Sequence, residues 1–191
     1  MRRFLKILAF ATAAVVVSPL AALSWLERKL SESEVLFGGS AQFLALMPGI
    51  VGVYLRGAYY FSTLAEASWE THVGFGSLFT HRGGALGVRA STGAYCVLGH
   101  AKIGAFVMMG SRVSIPSGKR QHFATDGGVT GDSSYTSVSV GERTWVGEGA
   151  IILADVGKGC IVAAGGVVTA SVPDGVLVGG NPARVIRELS H

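Results

Sequence analysis

The sequence predicts an all-β solenoid, a parallel β-helix, preceded by a hydrophobic helical segment that associates with a membrane. Three observations carry this. In residues 140–169, VGERTWVGEGAIILADVGKGCIVAAGGVVT, an aliphatic residue returns at a step close to six: Val140, Val146, Ile152, Val156, Val162 and Val168. A fixed six-residue period is the signature of stacked β-helical coils. Glycine supplies 28 of 191 residues while charged residues make up only 15%, roughly twice the usual glycine content, which suits a backbone with many tight corners. The first 60 residues contain two long stretches without a charge.

The N-terminal segment opens on Arg2, Arg3 and Lys6, followed by twenty uncharged residues, ILAFATAAVVVSPLAALSWL, at 7–26. That is the length of a helix crossing a ~30 Å hydrocarbon layer. A cleaved signal peptide has the same outline, but Trp25 suits an interfacial anchor, and a second apolar run follows the polar bridge 27–34, ERKLSESE. That run, 35–55, is broken by Gly38, Gly39, Pro48 and Gly49 and makes a poor straight helix. It reads as the return arm of a membrane hairpin kinked at Pro48, as a pair of short helices in the interface, or as packing on the β-domain. Arg56 directly after it, with Tyr54, Tyr59, Tyr60 and Phe61, reads as an aromatic belt and a cytoplasmic exit. The basic N-terminus favours the same side, which requires two crossings or none. The predicted boundaries are 1–60 for this region and 61–191 for the β-domain.

From Val73 onward the units run Val73-Gly, Phe79, Leu86-Gly, Thr92-Gly, Leu98-Gly, Ile103-Gly, Met109-Gly and Ile115. The fifth position is small or β-branched: Ser77, Ala90, Cys96, Val107, Val113, Thr144, Ala150 and Cys160. Positions one and five are therefore expected to point inward, and the glycine-rich second position is expected to make the turn. Such a unit cannot bury its apolar residue alone; a stack buries a continuous column. Cys96 and Cys160 share one slot of the repeat and lack metal-type or disulfide spacing, so they read as small buried fillers. The net charge of +4 comes without a basic run, which argues against nucleic acid as a partner.

The series Trp145-Val-Gly-Glu-Gly-Ala, Val167-Val-Thr, Val172-Pro and Gly179-Gly-Asn-Pro-Ala-Arg-Val-Ile-Arg resembles the hexapeptide-repeat acyltransferases. The branch it is most similar to holds galactoside, maltose and serine acetyltransferases and membrane-associated polysaccharide O-acetyltransferases. The resemblance covers about 73–188. It implies a left-handed β-helix with three hexapeptides per triangular coil, and a homotrimer with active sites between subunits.

The six-residue pattern stops over 116–137, PSGKRQHFATDGGVTGDSSYTS, and a long loop that interrupts a regular array is usually functional. The resemblance makes this the family's protruding loop, and His122 its catalytic general base. A sugar hydroxyl is a weak nucleophile near neutral pH, so an imidazole that removes its proton during attack on a thioester meets the chemical need. By the same resemblance Trp145 lies beside that histidine. His81 and His100, at irregular corners, are candidates to line the acceptor cleft, with Tyr95 and Tyr135 as possible sugar contacts. Acetyl-CoA is the implied donor, with Ala164 and Thr169 along the pantetheine and Arg184 and Arg187 at the phosphates, where a bidentate cation suits the task. His72 is expected in a cap and His191 at a loose terminus. Two features depart from the family pattern. Glu148 stands where related enzymes often have a small or polar residue, and the step from Ile152 to Val156 is two residues short.

The expected function is transfer of an acetyl group from acetyl-CoA to a hydroxyl of a saccharide, without a metal. The expected setting is a bacterial inner membrane with the β-domain facing the cytoplasm. A non-catalytic membrane-anchored scaffold is the alternative of another class. A γ-type zinc carbonic anhydrase is a further enzyme reading, disfavoured because the five histidines lack that family's close pair.

Overall fold

The computed structural model describes residues 1–118, 122, 128–129 and 135–189; the rest of the loop 116–137, and His191, lie outside the described residues. Three helices come first: α1 (Arg2–Leu30), α2 (Val35–Ala45) and α3 (Gly49–Thr63). Short strands then stack into a triangular prism of about six coils. The first face is built from Glu66–Ala67, Ala85–Leu86, Ala101–Ile103 and Val138–Val140, and continues through single bridges at Val156 and Val172. The second face runs Ser91–Thr92, Met108–Met109, Trp145–Val146, Ile161–Val162 and Val176–Gly180. The third runs Leu78–Phe79, Val97–Leu98, Ser114–Ile115, Ile151–Ile152 and Val167–Val168. Every coil-to-coil pairing is parallel, and the terminal strand Ala183–Glu188 folds back antiparallel on Val176–Gly180.

The core follows the predicted two-residue code. Phe79, Leu98, Ile115, Val146, Ile152 and Val162 fill it from position one. All eight position-five residues, from Ser77 to Cys160, are buried, and the two cysteines are free thiols. Burial pushes the Cys96 thiol above its ordinary value, as expected of an inert filler.

The assignment of the turn to position two needs correction. Residues with left-handed backbone stand at position four, and five of them are not glycine: Arg89, Tyr95, Phe106, Arg112 and Arg143, at φ between 55° and 59°. The position-two glycines answer a different demand. A Cβ on Gly104 would lie 2.7 Å from the Glu142 nitrogen, and one on Gly147 would lie 2.5 Å from that of Ala164. Glycine is there because the next coil's backbone passes where a side chain would begin. The short step before Val156 is closed by Asp155, whose carboxylate accepts from the Ser139 backbone nitrogen at 2.7 Å and hydroxyl at 2.8 Å.

The run 35–55 forms two short helices, α2 of 11 and α3 of 15 residues. Both are shorter than the ~20 residues needed to cross a bilayer, so the hairpin return arm is not formed. Both helices close the N-terminal end of the prism. The Tyr60 hydroxyl accepts from the Phe79 nitrogen at 3.0 Å, and the two rings meet edge to face at 5.3 Å. The Tyr59 hydroxyl donates to the Phe37 carbonyl at 3.0 Å. Tyr59, Tyr60 and Arg56 are therefore core, not a membrane belt. Arg56 donates to the carbonyls of Leu44 (3.0 Å), Met47 (2.7 Å) and Val73 (2.9 Å). A buried cation thus caps the C-terminal end of α2, where the helix dipole favours positive charge, and ties α2 and α3 to the first coil.

Candidate active site

The three corners of the prism carry different chemistry. The corner joining the third face to the first is where coils lengthen or shorten, and the loop 116–137 leaves the solenoid there. His81, His100 and Tyr135 stack along this corner from three successive coils. The His81 ring centroid lies 4.6 Å from that of His100 and 4.4 Å from that of Tyr135, and His100 lies 5.8 Å from Tyr135. The backbone pins the stack: the His100 nitrogen donates to the Ser117 hydroxyl at 2.9 Å, and Val138 N donates to the His100 carbonyl at 2.9 Å.

Glu34, at the start of α2, adds a carboxylate. Its Oε2 is 2.6 Å from His81 Nδ1, and its Oε1 accepts from the Arg82 backbone nitrogen at 3.0 Å. The imidazole is thereby oriented by a carboxylate itself held in place, the arrangement that fixes a histidine's ring position and tautomer. Burial, then the neighbouring His81, holds His100 below the ordinary histidine value, against an opposing pull from Glu34. His100 is neutral near pH 7. The corner offers two imidazoles tilted 31° to one another and a phenol stacked on His100, rings suited to packing against a ring with hydrogen-bonding edges.

His122 stands at an exposed turn position of the loop that leaves this corner. Thr169, half-buried, is on the same corner two coils beyond the loop. The remaining sequence-predicted residues lie elsewhere on the chain. Trp145 faces outward on the second face, in register between Met108 and Ile161. Arg184 and Arg187 are exposed on the terminal strand of that face, opposite Gly179 and Leu177. Ala164 is exposed at the corner between second and third faces, with Glu148 one coil back, where Gly165 N donates to the Glu148 carbonyl at 2.8 Å. Tyr95 occupies the same corner near the N-terminal end, its ring edge-on to Phe75 at 5.5 Å. One copy of the chain thus brings His81 and His100 together, with Thr169 two coils along the same corner, and leaves Tyr95, Trp145, Ala164, Arg184 and Arg187 on other surfaces.

Glu34 was missed by the sequence reading, which took 27–34 as a polar bridge. The sequence offers Tyr135 as a sugar contact; the structure places its ring against His81 and His100. The available signal was the cluster of three acids, Glu27, Glu32 and Glu34, between two apolar runs, where a carboxylate that becomes buried needs a partner. His72, expected in a cap, does sit at the first coil, bridged to Ser91. Burial, then the nearby Arg56, keeps it below the ordinary histidine value.

Fold and repeat together define a hexapeptide-repeat β-solenoid. Among solved structures the chain is similar to a maltose O-acetyltransferase from Clostridium difficile 630, with TM-score 0.70 and 20% identity over 81% of this chain and 86% of that one. It is similar to a galactoside acetyltransferase in complex with coenzyme A, with TM-score 0.55 and 19% identity over 81% and 80% of the two chains. A mutant of the Bacillus cereus N-acyltransferase AntD, in complex with dTDP and coenzyme A, aligns with TM-score 0.53 and 15% identity over 67% and 86%. Identities this low establish a shared fold. No family model matches the chain, and no curated protein matches it in sequence.

Proposed function

We propose that the protein is an acyl-CoA-dependent O-acyltransferase that moves an acetyl group from acetyl-CoA to a hydroxyl of a saccharide. The observation that carries the reading is the corner between third and first faces. A solenoid shared with acetyltransferases, one of them solved with coenzyme A, is interrupted there by a loop bearing His122, beside the His81–His100–Tyr135 stack.

His122 accepts the proton of the acceptor hydroxyl as its oxygen attacks the thioester carbonyl. The tetrahedral intermediate collapses, the C–S bond breaks, and the leaving thiolate of coenzyme A takes the proton back. Backbone N–H groups at the corners supply the oxyanion contacts. His81, oriented by Glu34, and His100 form the acceptor wall with Tyr135, and Tyr95 is the more distant acceptor residue. The donor lies against Ala164 and Thr169, with Arg184 and Arg187 at its phosphates and Trp145 beside the base. Apart from Thr169, the donor groups and Trp145 lie on other surfaces of one copy than the loop corner, so the reading requires a homotrimer in which the loop corner of one subunit meets the second face of the next. The outward Met108 and Trp145 of that face, with Val97 and Ile151 on the third, are apolar enough to be covered. Coenzyme A places the β-domain in the cytoplasm, at the inner face of the bacterial inner membrane.

The reading is tested with labelled acetyl-CoA and a panel of oligosaccharide and lipid-linked saccharide acceptors. Transfer to at least one acceptor, by a species of trimeric mass in light scattering, is expected. Absence of transfer from a trimeric, coenzyme A-binding protein selects the scaffold reading instead.

A further inference from the structure

We infer that α1 lies in the plane of a membrane as a monotopic anchor, and that Arg3, Lys6 and Arg89 seat the phosphate of an anionic lipid at its N-terminal end. The inference rests on membrane association and not on the catalytic reading.

Helix α1 is fastened to the prism at two distant points. Near its N-terminus the Phe10 ring lies 6.0 Å from Trp69 of the first coil and 5.5 Å from Phe61 of α3. Near its C-terminus Glu27 accepts from Arg82 of the first coil at 2.6 Å and from the Leu36 and Phe37 nitrogens of α2 at 2.8 and 3.1 Å. These anchors are about 25 Å apart along the helix axis. A helix held at both ends against the base of one domain cannot also stand across a bilayer with that domain on one side.

The stripe that touches the protein consists of Ala13, Val17, Ser24 and Glu27, with Phe10 and Leu20 partly covered. The exposed side carries Val15, Leu23, Trp25 and Leu26, with Val15 74% and Trp25 56% exposed, and exposed Leu8 and Val16 flank it toward α3. A helix on a water-facing surface has the reverse polarity. Among the described residues α1 is the one helix long and apolar enough to cross a membrane, yet its packing lays it flat. Charges gather only at its ends, where long cations reach the interface: Arg3 and Lys6 at one, Arg28 and Lys29 at the other, Lys29 sitting 3.9 Å over the Trp25 ring.

Beneath the N-terminal end a pocket of about 410 Å³ opens between α1, α3 and the first coil, lined by Lys6, Tyr54, Trp69, Glu70, His72 and Arg89. An adjoining hollow adds Arg3. Glu70 stands 3.9 Å from Arg89, and His72 is neutral near pH 7, so two positive charges remain in excess. Tyr54 also lines an apolar groove of about 470 Å³ between α1 and α3, formed by Leu5, Leu8, Val16, Val51 and Leu55. A cationic, aromatic pocket continuous with an apolar groove matches a headgroup phosphate joined to an acyl chain, and each cation near an anionic surface contributes about 1 kcal/mol.

Two experiments on the full-length chain test this. In flotation with phosphatidylcholine vesicles containing about one third phosphatidylglycerol, Lys6→Gln with Arg89→Gly binds about 10-fold more weakly than wild type or worse. Binding to pure phosphatidylcholine is unchanged. An unaltered preference for the anionic vesicles, or full displacement of the protein from them by millimolar inorganic phosphate, overturns the lipid site. In membrane vesicles of one sidedness, Arg3→Cys and Glu32→Cys both react with an impermeant maleimide from the same side, the native cysteines being buried. Labelling from opposite sides overturns the in-plane arrangement.

Discussion

The solenoid and the helical layer at its base solve burial in opposite ways. In the solenoid, large residues such as Phe79 and Ile152 and small ones such as Ala150 and Cys160 face inward in alternation. In α1 the inward stripe is small, with Ala13 and Ser24, and ends on a buried carboxylate, while bulky Val15, Leu23 and Trp25 face out. The first region is ordered by its own repetition. The second is ordered by individual contacts that do not repeat: Arg56 to three carbonyls, Glu27 to Arg82, and the aromatic pairs Tyr60–Phe79 and Phe10–Trp69.

That difference ranks the ways to disrupt the molecule. Arg56→Ala is expected to cost most, about 3–5 kcal/mol, because it strips the donors from the carbonyls of Leu44, Met47 and Val73 at once, each left buried without a partner at about 1–3 kcal/mol. Urea denaturation measures it, and a loss below about 1 kcal/mol would mean the base does not depend on this cation.

Glu27→Gln is next, at about 2–3 kcal/mol, read from hydrogen exchange in α1. Burial opposes ionisation of Glu27. The Leu36 and Phe37 N–H groups, the Ser33 hydroxyl and Arg82 together outweigh it and hold the carboxyl below its ordinary value of 4.5. A depressed carboxylate contributes stability that is complete above the unfolded value and is lost as pH falls through the folded one. Protection of α1 should therefore be constant from pH 7 down to about 5 and fall only below 4.5 in the wild type, and this acid step should be absent in Glu27→Gln.

Within the solenoid, Gly104→Ala should cost about 2 kcal/mol, since its Cβ meets backbone. Gly149→Ala should cost about 1 kcal/mol, from positive φ alone, because no atom lies within 4 Å of its Cβ position. Equal losses at the two sites would contradict the separate roles given to positions two and four. Arg112→Gly, at φ 59°, should be the mildest, changing stability by less than about 1 kcal/mol.

Legibility in the sequence follows the same division. The six-residue step exposed the solenoid, and even the slot shared by Cys96 and Cys160, because each coil repeats one local environment. It misled on position two, since glycine needed for close approach looks the same in a sequence as glycine needed for a turn. Tyr59, Tyr60 and Arg56 read as a membrane boundary because aromatic and cationic residues after an apolar run are equally the material of a buried cap. The corner carrying the histidines was legible as an irregularity in the repeat. Its Glu34–His81 pair was not, because those residues are 47 positions apart and no period connects them.

The central claim is that the loop histidine removes the acceptor's proton. Its most direct test is the rate of acetyl transfer from acetyl-CoA by His122→Ala, with coenzyme A binding and trimer mass checked alongside. A fall of about 10²–10⁴-fold with both checks unchanged is expected if His122 is the base; transfer at the wild-type rate would rule that role out.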